Sequence, residues 1–329
     1  MSNKRTLIVV PVLNDERSLT TLIAELAREL ADRTAVSMLV VDDGSVPPLD
    51  LTAVRMLDGQ VVTLSRNLGH QKAIAIGLAY AVANSLADVI VVMDADGEDR
   101  PADVPRMLAA VEGRSELSLV AAQRTKRSER LAFRVFYQLY RLLFVVLTGH
   151  RISFGNFSAF SLVAARRLVA MSELWASVPA TLIRSRLPIA ELPTERGKRY
   201  HDQPRMNLVS LVTLGFGAVT TFLESALTRV ILGAMAIFAF CMLASVVALV
   251  LKVAGLASPG WITTVIGTSL LLVIGVAILS FMGLALTILA GAHTVPAPSA
   301  TYQSFIARTS SFGPSCTATP HPLPSVERS

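Results

Sequence analysis

The sequence predicts an α/β domain with a Rossmann-like, mostly parallel sheet and covering helices, followed by two C-terminal transmembrane helices. Apolar runs of strand length alternate with helical patterns in the first half of the chain, which is typical of a parallel sheet. Charge is distributed very unevenly: all but three of the 30 Lys and Arg, and all but one of the 24 Asp and Glu, precede Val230. The charged share of 16% is below the roughly 25% of soluble domains, and the deficit lies in the apolar C-terminal part.

The predicted elements of the N-terminal domain follow one another in strand–helix order. The strands are Thr6–Leu13, Ser37–Val41, Val61–Leu64, Asp88–Met93 and Leu117–Ala122, and the helices are Leu19–Leu30, Ala73–Ala83 and Val104–Val111. In open sheets of this kind, ligands bind outside the carboxyl ends of the strands.

Charged side chains follow each of the five predicted strands. The five segments are Pro11-Val12-Leu13-Asn14-Asp15, Asp42-Asp43-Gly44-Ser45, Ser65-Arg66-Asn67-Leu68-Gly69, Asp94-Ala95-Asp96 and Gln123-Arg124. One crevice would therefore collect carboxylates and guanidinium groups, a combination that suits a nucleotide diphosphate with a divalent metal. No Walker loop and no G-x-G-x-x-G segment follows any strand, which argues against a P-loop ATPase and a nicotinamide enzyme.

A metal site is predicted directly after the most apolar strand. Alternate residues of an extended segment point the same way, so Asp94, Asp96 and Glu98 can face one ion. Oxygen ligands with added phosphate oxygens suit Mg²⁺ or Mn²⁺. The alternative interpretation is a solvated acidic turn, which is the more frequent origin of a bare D-x-D pattern.

Two uncharged stretches predict the membrane segments. Val230–Leu251 has 22 residues, about 33 Å of helix against a hydrocarbon core of roughly 30 Å, and a second stretch runs over Trp261–Ala290. We place the spans at 229–252 and 261–290, with an N-terminal domain at 1–228 and a flexible tail at 291–329. The alternative is a buried helical hairpin of a soluble core.

Arginines before the first span predict that the domain and the tail both lie in the cytoplasm, most simply at a bacterial inner membrane. The run Thr6–Leu13 leads into Asn-Asp-Glu rather than a cleavage site, so we expect no signal peptide. The two cysteines, Cys241 and Cys316, imply no disulfide framework. Association of chains through the spans is left open.

A basic, apolar segment precedes the spans. Seven Lys and Arg lie between Arg124 and Arg151 against Glu129 alone, interleaved with Leu, Phe and Tyr. This pattern predicts interface helices at about 131–148 and 208–224 that lie on the membrane surface. The alternative is a core helix with a solvated basic face. Nucleic-acid binding is a weaker explanation of the net charge of +6, because no recognition motif accompanies it.

These ordered motifs resemble the family 2 glycosyltransferases of the GT-A fold. The segments that carry the likeness begin at Pro11, Val41, Ser65 and Asp94, and the nearest group is that of the polyprenyl-phosphate glycosyltransferases, similar to dolichol-phosphate mannosyltransferase and bactoprenol glucosyltransferase. The resemblance implies a membrane-bound, metal-dependent, inverting hexosyltransferase. It would move one sugar from a donor of the UDP-glucose or GDP-mannose type to a polyprenyl phosphate, in the making of a cell-envelope glycan.

The resemblance also implies roles for individual residues. The catalytic residues would be Asp94, Asp96 and Arg205, and the metal ligands Asp94, Asp96 and Glu98. The donor-binding residues would be Pro11, Leu13, Asp15, Asp42, Asp43, Arg66, Ala95, Arg124, Arg199 and Arg205. His70 is either a phosphate contact or a surface residue at a helix start.

The chain departs from the family pattern at several of these positions. Leu13 replaces an aromatic residue, Glu98 a glutamine, and Asn156 the aspartate of a Gly-Asp-Phe loop. Two other functions therefore stay open at this point: a processive polysaccharide synthase, and an inactive membrane scaffold. A synthase is disfavoured by the absence of a Gln-x-x-Arg-Trp segment, and a scaffold by the intact Asp94 and Asp96.

Overall fold

The structure is a computed structural model that describes residues 4–114, 116–124, 138, 142–201, 217–256, 260–292 and 295–315. The chain divides into two compact units. The first comprises residues 1–134, 152–221 and 296–329, and the second residues 135–151 and 222–295.

The first unit is built on an eight-stranded, mostly parallel sheet. The strands are β1 (Thr6–Val12), β2 (Val36–Asp42), β3 (Gly59–Leu64), β4 (Val89–Val92), β5 (Leu119–Arg124), β6 (Ser158–Ser161), β7 (Ile189–Thr194) and β8 (Ile306–Phe312). Their order is β7-β5-β6-β4-β1-β2-β3-β8, with β6 and β8 antiparallel to their neighbours. The five strands predicted from the sequence are confirmed, and β6, β7 and β8 complete the sheet.

Helices cover both faces of this sheet. They are α1 (Glu16–Glu29), α2 (His70–Ala83), α3 (Val104–Glu112), α4 (Leu162–Val169) and α5 (Val178–Arg184). The first begins at Asp15, whose side chain caps it by accepting a hydrogen bond from Ser18 N at 3.2 Å. The three helices predicted from the sequence are confirmed to within a few residues of their ends.

Two hydrophobic layers follow from the alternation of side chains along the strands. Val9 and its in-register neighbours pack beneath α2, whereas Ile8 and Val10 pack against α1 and α3 on the other face. Strands buried on both faces are near-continuous apolar runs, as β4 is. The carboxyl ends of β1, β2, β3, β4, β5 and β7 consequently share one edge of the sheet.

The prediction of a flexible tail is wrong for part of its length. Residues 306–312 form β8, which pairs antiparallel with β3 from Gly59↔Phe312 to Leu64↔Ile306. Phe312 is buried against Gly59, where a side chain would collide with the ring. The prediction failed because this stretch is rich in Ser and Thr, and a single apolar side chain, Phe312, anchors the strand. Residues 316–329 lie outside the described part.

The second unit contains the two long apolar helices, α6 (Leu223–Val253) and α7 (Trp261–Ala292). Both are long and apolar enough to cross a membrane, and their side chains are mostly exposed in the chain by itself. This exposure argues against the buried hairpin of a soluble core, because such helices hide their apolar faces in protein. Helix α6 begins six residues before the predicted span, since the helix continues into the polar segment that precedes it.

The helical residues 142–148 lie in the same unit. Phe144 is buried against the ring of Phe222, whereas Leu142, Leu143 and Val146 are more than half exposed. The guanidinium of Arg229 donates to the carbonyls of residues 145 and 146 at 3.2 and 3.1 Å, which satisfies two carbonyls at the helix end. An exposed apolar side is what the membrane-surface hypothesis requires. It stays a prediction, because residues 125–137, 139–141 and 202–216 lie outside the described part.

Candidate active site

The turn after β4 carries four carboxylates in six residues. Its backbone is folded by two of them: Asp99 Oδ2 accepts a hydrogen bond from Asp94 N at 3.0 Å, and Asp96 Oδ1 accepts one from Glu98 N at 2.9 Å. Gly97 closes the turn with φ +86°, a conformation that favours glycine. Asp94 and Asp96 keep 28% and 19% of their side-chain surface exposed, so both remain accessible from the edge of the sheet.

A basic segment, residues 195–201, follows β7 and lies over this turn; we name it the strap. Its backbone is held by hydrogen bonds from Gly197 N to Glu98 O at 2.8 Å and from Tyr200 N to Asp96 O at 3.0 Å. The Tyr200 hydroxyl donates to Glu25 Oε2 of α1 at 2.7 Å. The strap is therefore attached both to the acidic turn and to a covering helix.

Two arginines of the strap neutralise part of the acidic turn. Arg199 Nη2 lies 2.9 Å from Asp96 Oδ2, and Arg199 Nε lies 2.8 Å from Glu98 Oε1. Arg196 Nη2 reaches the same Glu98 oxygen at 2.6 Å. Charge-assisted contacts of this length are the stronger class of protein hydrogen bonds.

The pKa values of Asp96 and Glu98 are shifted in opposite directions. Burial, followed by the nearby Asp94 carboxylate, raises the pKa of Asp96 above its usual value. Burial also raises the pKa of Glu98, but the hydrogen bonds from Arg196 and Arg199 outweigh it and the net shift is downward. The charged form of Asp96 is therefore less favoured than that of a free carboxylate, whereas the charged form of Glu98 is more favoured.

His70, at the start of α2, contacts the first carboxylate of the turn. Its Nε2 lies 3.2 Å from Asp94 Oδ1 and 3.0 Å from Asn156 Nδ2. Gln71 extends the network, because its amide donates to Asn156 Oδ1 at 3.0 Å and accepts from Val178 N at 2.8 Å. Burial lowers the pKa of His70, but the charge of Asp94 and its hydrogen bond raise it more.

Two acidic residues at the end of β2 organise loops at the same edge. Asp43 accepts hydrogen bonds from Leu68 N at 2.7 Å and Gly69 N at 2.9 Å, and burial raises its pKa. Asp42 is fully buried and accepts from Ser45 N at 2.9 Å. These contacts tie the loops after β2 and β3 together, so both carboxylates have a structural role whatever they bind.

The remaining predicted donor-binding residues vary in exposure. Pro11 and Ala95 are buried, whereas Leu13 and Arg66 are exposed at the edge of the sheet. Asp15 caps α1, as described above. Arg205 and the side chain of Arg124 lie outside the described part of the chain, and their roles stay predictions.

Sequence reasoning missed three members of this site. Asp99 fixes the backbone of Asp94, Arg196 pairs with Glu98, and Gln71 supports Asn156. A second basic residue three positions before Arg199 was a usable signal for Arg196. Nothing in the sequence distinguished Asp99 from the other carboxylates of its turn, because its role depends on the fold of the loop.

Three comparisons place this geometry among known proteins. The family model described as glycosyl transferase family 2 matches residues 7–165. The undecaprenyl-phosphate 4-deoxy-4-formamido-L-arabinose transferases of Salmonella choleraesuis (strain SC-B67) and Salmonella paratyphi B (strain ATCC BAA-1250 / SPB7) are each 27% identical over 229 residues, which are 66% of this chain and 67% of theirs. Glucosyl-3-phosphoglycerate synthase from Mycobacterium tuberculosis, solved with Mn²⁺ and UDP-glucose, has a TM-score of 0.50 at 18% identity and covers 68% of this chain and 79% of its own.

The matched residues 7–165 contain β1 to β6 and the acidic turn after β4. The likeness to the mycobacterial synthase supports the fold, and the family match covers the four segments that begin at Pro11, Val41, Ser65 and Asp94, but not Arg199 and Arg205. The resemblance seen in the sequence is thereby confirmed: residues 7–165 match the glycosyl transferase family 2 model, and the sheet has the GT-A fold.

Proposed function

We propose that this protein transfers a single sugar from a nucleotide-sugar donor to a polyprenyl phosphate at the membrane surface, with inversion of the anomeric centre. The observation that carries the proposal is the acidic turn of Asp94 and Asp96, crossed by Arg199, in a domain followed by two helices of membrane-spanning length. The named relatives act on undecaprenyl phosphate, which supports a polyprenyl acceptor.

The residues of the turn fit a divalent cation of the Mg²⁺ or Mn²⁺ type. Mg²⁺ is commonly held by one or two carboxylates together with substrate phosphates rather than by an all-protein cage. Within the described residues no group of three His, Cys, Asp or Glu side chains is placed to hold a metal, but Asp94 and Asp96 supply two accessible carboxylates. The mycobacterial synthase was solved with Mn²⁺. When bound, such an ion stabilises negative charge on a leaving diphosphate.

The reaction needs little proton transfer. A phosphate acceptor is already ionised at neutral pH, so one of its oxygens can attack the anomeric carbon without a strong general base. The reaction depends more on stabilising the leaving nucleoside diphosphate, on which negative charge grows in the transition state. Arg199 is fixed beside Asp96 and can stabilise that charge, and we assign the same role to Arg205. His70, at the start of α2, orients Asp94 through their 3.2 Å contact.

Donor recognition is assigned to the loops after the first three strands. Pro11, Leu13 and Asp15 would line the base and ribose pocket beside Asp43, and Arg66 would approach the phosphates. Leu13 offers an apolar side chain where a ring would stack. We therefore expect weaker base binding than an aromatic residue would give.

The membrane brings the acceptor to this site. We propose that α6 and α7 span the bilayer, with the catalytic domain and the tail in the cytoplasm of a bacterium. The helical residues 142–148 and the segment before α6 would then lie among the headgroups, where the phosphate of a lipid arrives.

The test is product analysis with purified full-length protein in bilayer nanodiscs. Undecaprenyl phosphate and Mn²⁺ are incubated with labelled UDP-glucose, GDP-mannose or a nucleotide-activated 4-deoxy-4-formamido-L-arabinose. We expect one lipid-linked monosaccharide, and none with Asp96→Ala, provided that this variant keeps the wild-type melting temperature. A long polymer would identify a polysaccharide synthase instead, and no product from any donor would favour a scaffold.

A further inference from the structure

Glu98 occupies an unusual electrostatic position in the acidic turn. It is 9% exposed, and a single oxygen, Oε1, lies 2.6 Å from Arg196 Nη2 and 2.8 Å from Arg199 Nε. Two guanidinium groups therefore converge on one buried carboxylate. A divalent cation approaching this oxygen would meet two positive charges within hydrogen-bond distance of it, so the surroundings of Glu98 oppose metal binding.

The pairing determines which atoms of Arg199 are available. A guanidinium presents five N–H donors in a rigid plane. Glu98 takes the Nε–H, which fixes the plane, and Nη2 then lies 2.9 Å from Asp96 Oδ2. Nη2 of Arg199 is thereby held beside Asp96, one of the two carboxylates proposed to bind the cation and, through it, the diphosphate.

The backbone strengthens this arrangement. The carbonyl of Glu98 accepts a hydrogen bond from Gly197 N at 2.8 Å, so the residue holds the strap through both its main chain and its side chain. A neutral glutamine in this place would keep the main-chain contact but would replace two charge-assisted side-chain contacts by weaker ones.

We propose that Glu98 is a positioning residue and not a metal ligand: it orients Arg199 through Nε so that the terminal guanidinium nitrogens meet the donor diphosphate. This inference rests on the proposed function, because it requires a diphosphate at the acidic turn. It replaces the expectation from the sequence that Glu98 completes a set of three metal ligands.

The experiment measures metal binding and diphosphate binding separately, in full-length protein. Mn²⁺ affinity is read from the loss of the free-ion signal in electron paramagnetic resonance. Nucleotide affinity is read by calorimetry with UDP and GDP at saturating Mn²⁺. For Glu98→Gln we expect the Mn²⁺ dissociation constant to stay within about twofold of wild type, while that of the tighter nucleotide rises about tenfold, which corresponds to about 1.4 kcal/mol.

Two variants separate the possible roles. Asp96→Asn, which removes a proposed ligand, should weaken Mn²⁺ binding strongly. Glu195, which lies on the same strap, forms an exposed ion pair with Arg100 of 2.9 Å. Glu195→Gln removes this pair without removing a contact of Glu98, and it should change neither the Mn²⁺ affinity nor the nucleotide affinity. If Glu98→Gln weakens Mn²⁺ binding as much as Asp96→Asn does, Glu98 is a ligand and the proposal is wrong.

A double-variant cycle tests whether Glu98 acts through Arg199. In an Arg199→Lys background, Glu98→Gln should bring little further loss of nucleotide affinity, because the group that it orients is already gone. Losses that simply add would show an independent, merely structural effect of Glu98 and overturn the proposal.

Further measurements distinguish a failure of this inference from a folding defect and from a failure of the proposed function. Should Glu98→Gln fail to fold, Arg196→Gln tests the same point: a ligand freed from a competing cation would bind Mn²⁺ more tightly, whereas a positioning residue leaves Mn²⁺ affinity unchanged. Wild-type protein that binds neither UDP nor GDP would refute the proposed function and this inference with it. Wild-type binding with equal nucleotide affinity in Glu98→Gln would refute the inference alone.

Discussion

Gly97 of the acidic turn lies in close steric contact with the strap, and replacing this residue by alanine tests whether the strap must stay in place. Gly97 has φ +86°, and a Cβ built there would lie 2.8 Å from Tyr200 Cε2 and 2.9 Å from the Lys198 carbonyl oxygen. Ordinary contacts begin at 3.4 Å. The Tyr200 ring would have to retreat by about 0.6 Å, and the strap that carries Arg199 would move with it.

The expected effects of Gly97→Ala have two parts. A side chain in the left-handed region costs about 1–2 kcal/mol, which should appear as lost stability. A misplacement approaching 1 Å can cost about a hundredfold in rate, so we expect turnover to fall roughly ten- to a hundredfold. The second loss arises because Arg199 no longer lies within 2.9 Å of Asp96.

The control is Gly255→Ala. Gly255 also has a positive φ, +73°, but nothing lies within 4 Å of its Cβ position. It should show the conformational cost alone, with unchanged turnover. Thermal unfolding and initial rates of sugar transfer are compared for both variants in the same nanodiscs. Wild-type turnover in Gly97→Ala, despite its lost stability, would refute the idea that the strap must be held against the turn.

Three further predictions concern the base pocket, one surface ion pair and the edge strand. Leu13→Phe should tighten nucleotide binding by about 1–3 kcal/mol through stacking on the base; calorimetry with UDP or GDP measures it, and an unchanged affinity would place the base elsewhere. The hydrogen bond from the Arg5 backbone N–H is the main reason that the pKa of Asp88 is lowered. The stabilising effect of the charged Asp88 carboxylate is therefore complete above about pH 4, and it is lost as the pH falls through the lowered pKa. Melting temperatures between pH 3 and 7 should therefore show a gap between wild type and Asp88→Asn that narrows on acidification, and a constant gap would contradict this. Phe312→Ala should lower the free energy of unfolding by about 3–5 kcal/mol and expose β8 to protease, whereas wild-type stability would mean that the ring does not anchor the strand against Gly59.

Much of the central sheet could be predicted because its signals are local. The runs that became β1 and β4 are apolar over their whole length, and a strand buried on both faces needs no more information than that. The same holds for the acidic turn after β4, which lies at a strand end in any parallel arrangement. The edge strand β8 could not be predicted in this way, because one buried ring, Phe312, and pairing with a strand about 250 residues earlier decide its structure.

The pairings of the site were beyond sequence reasoning for a similar reason. Arg196 and Arg199 lie about 100 residues from Glu98, and a count of charges does not say which cation meets which carboxylate. The resemblance to a family indicated Arg199 as a phosphate contact. It carried Glu98 over as a metal ligand, by analogy with a glutamine, and the two ion pairs of Glu98 argue against that transfer.

The four carboxylates of the turn illustrate how one fold gives the same chemical group different tasks. Asp99 is 2% exposed and serves the backbone of Asp94. Glu98 is stabilised in its charged form by two arginines, while the pKa of Asp96 is raised by burial and by Asp94. Environments that move neighbouring pKa values apart commonly mark separate roles. Since Asp94 and Asp96 are also the more exposed pair, we propose that they hold the cation with its diphosphate, whereas the negative charge of Glu98 holds the two arginines that face it.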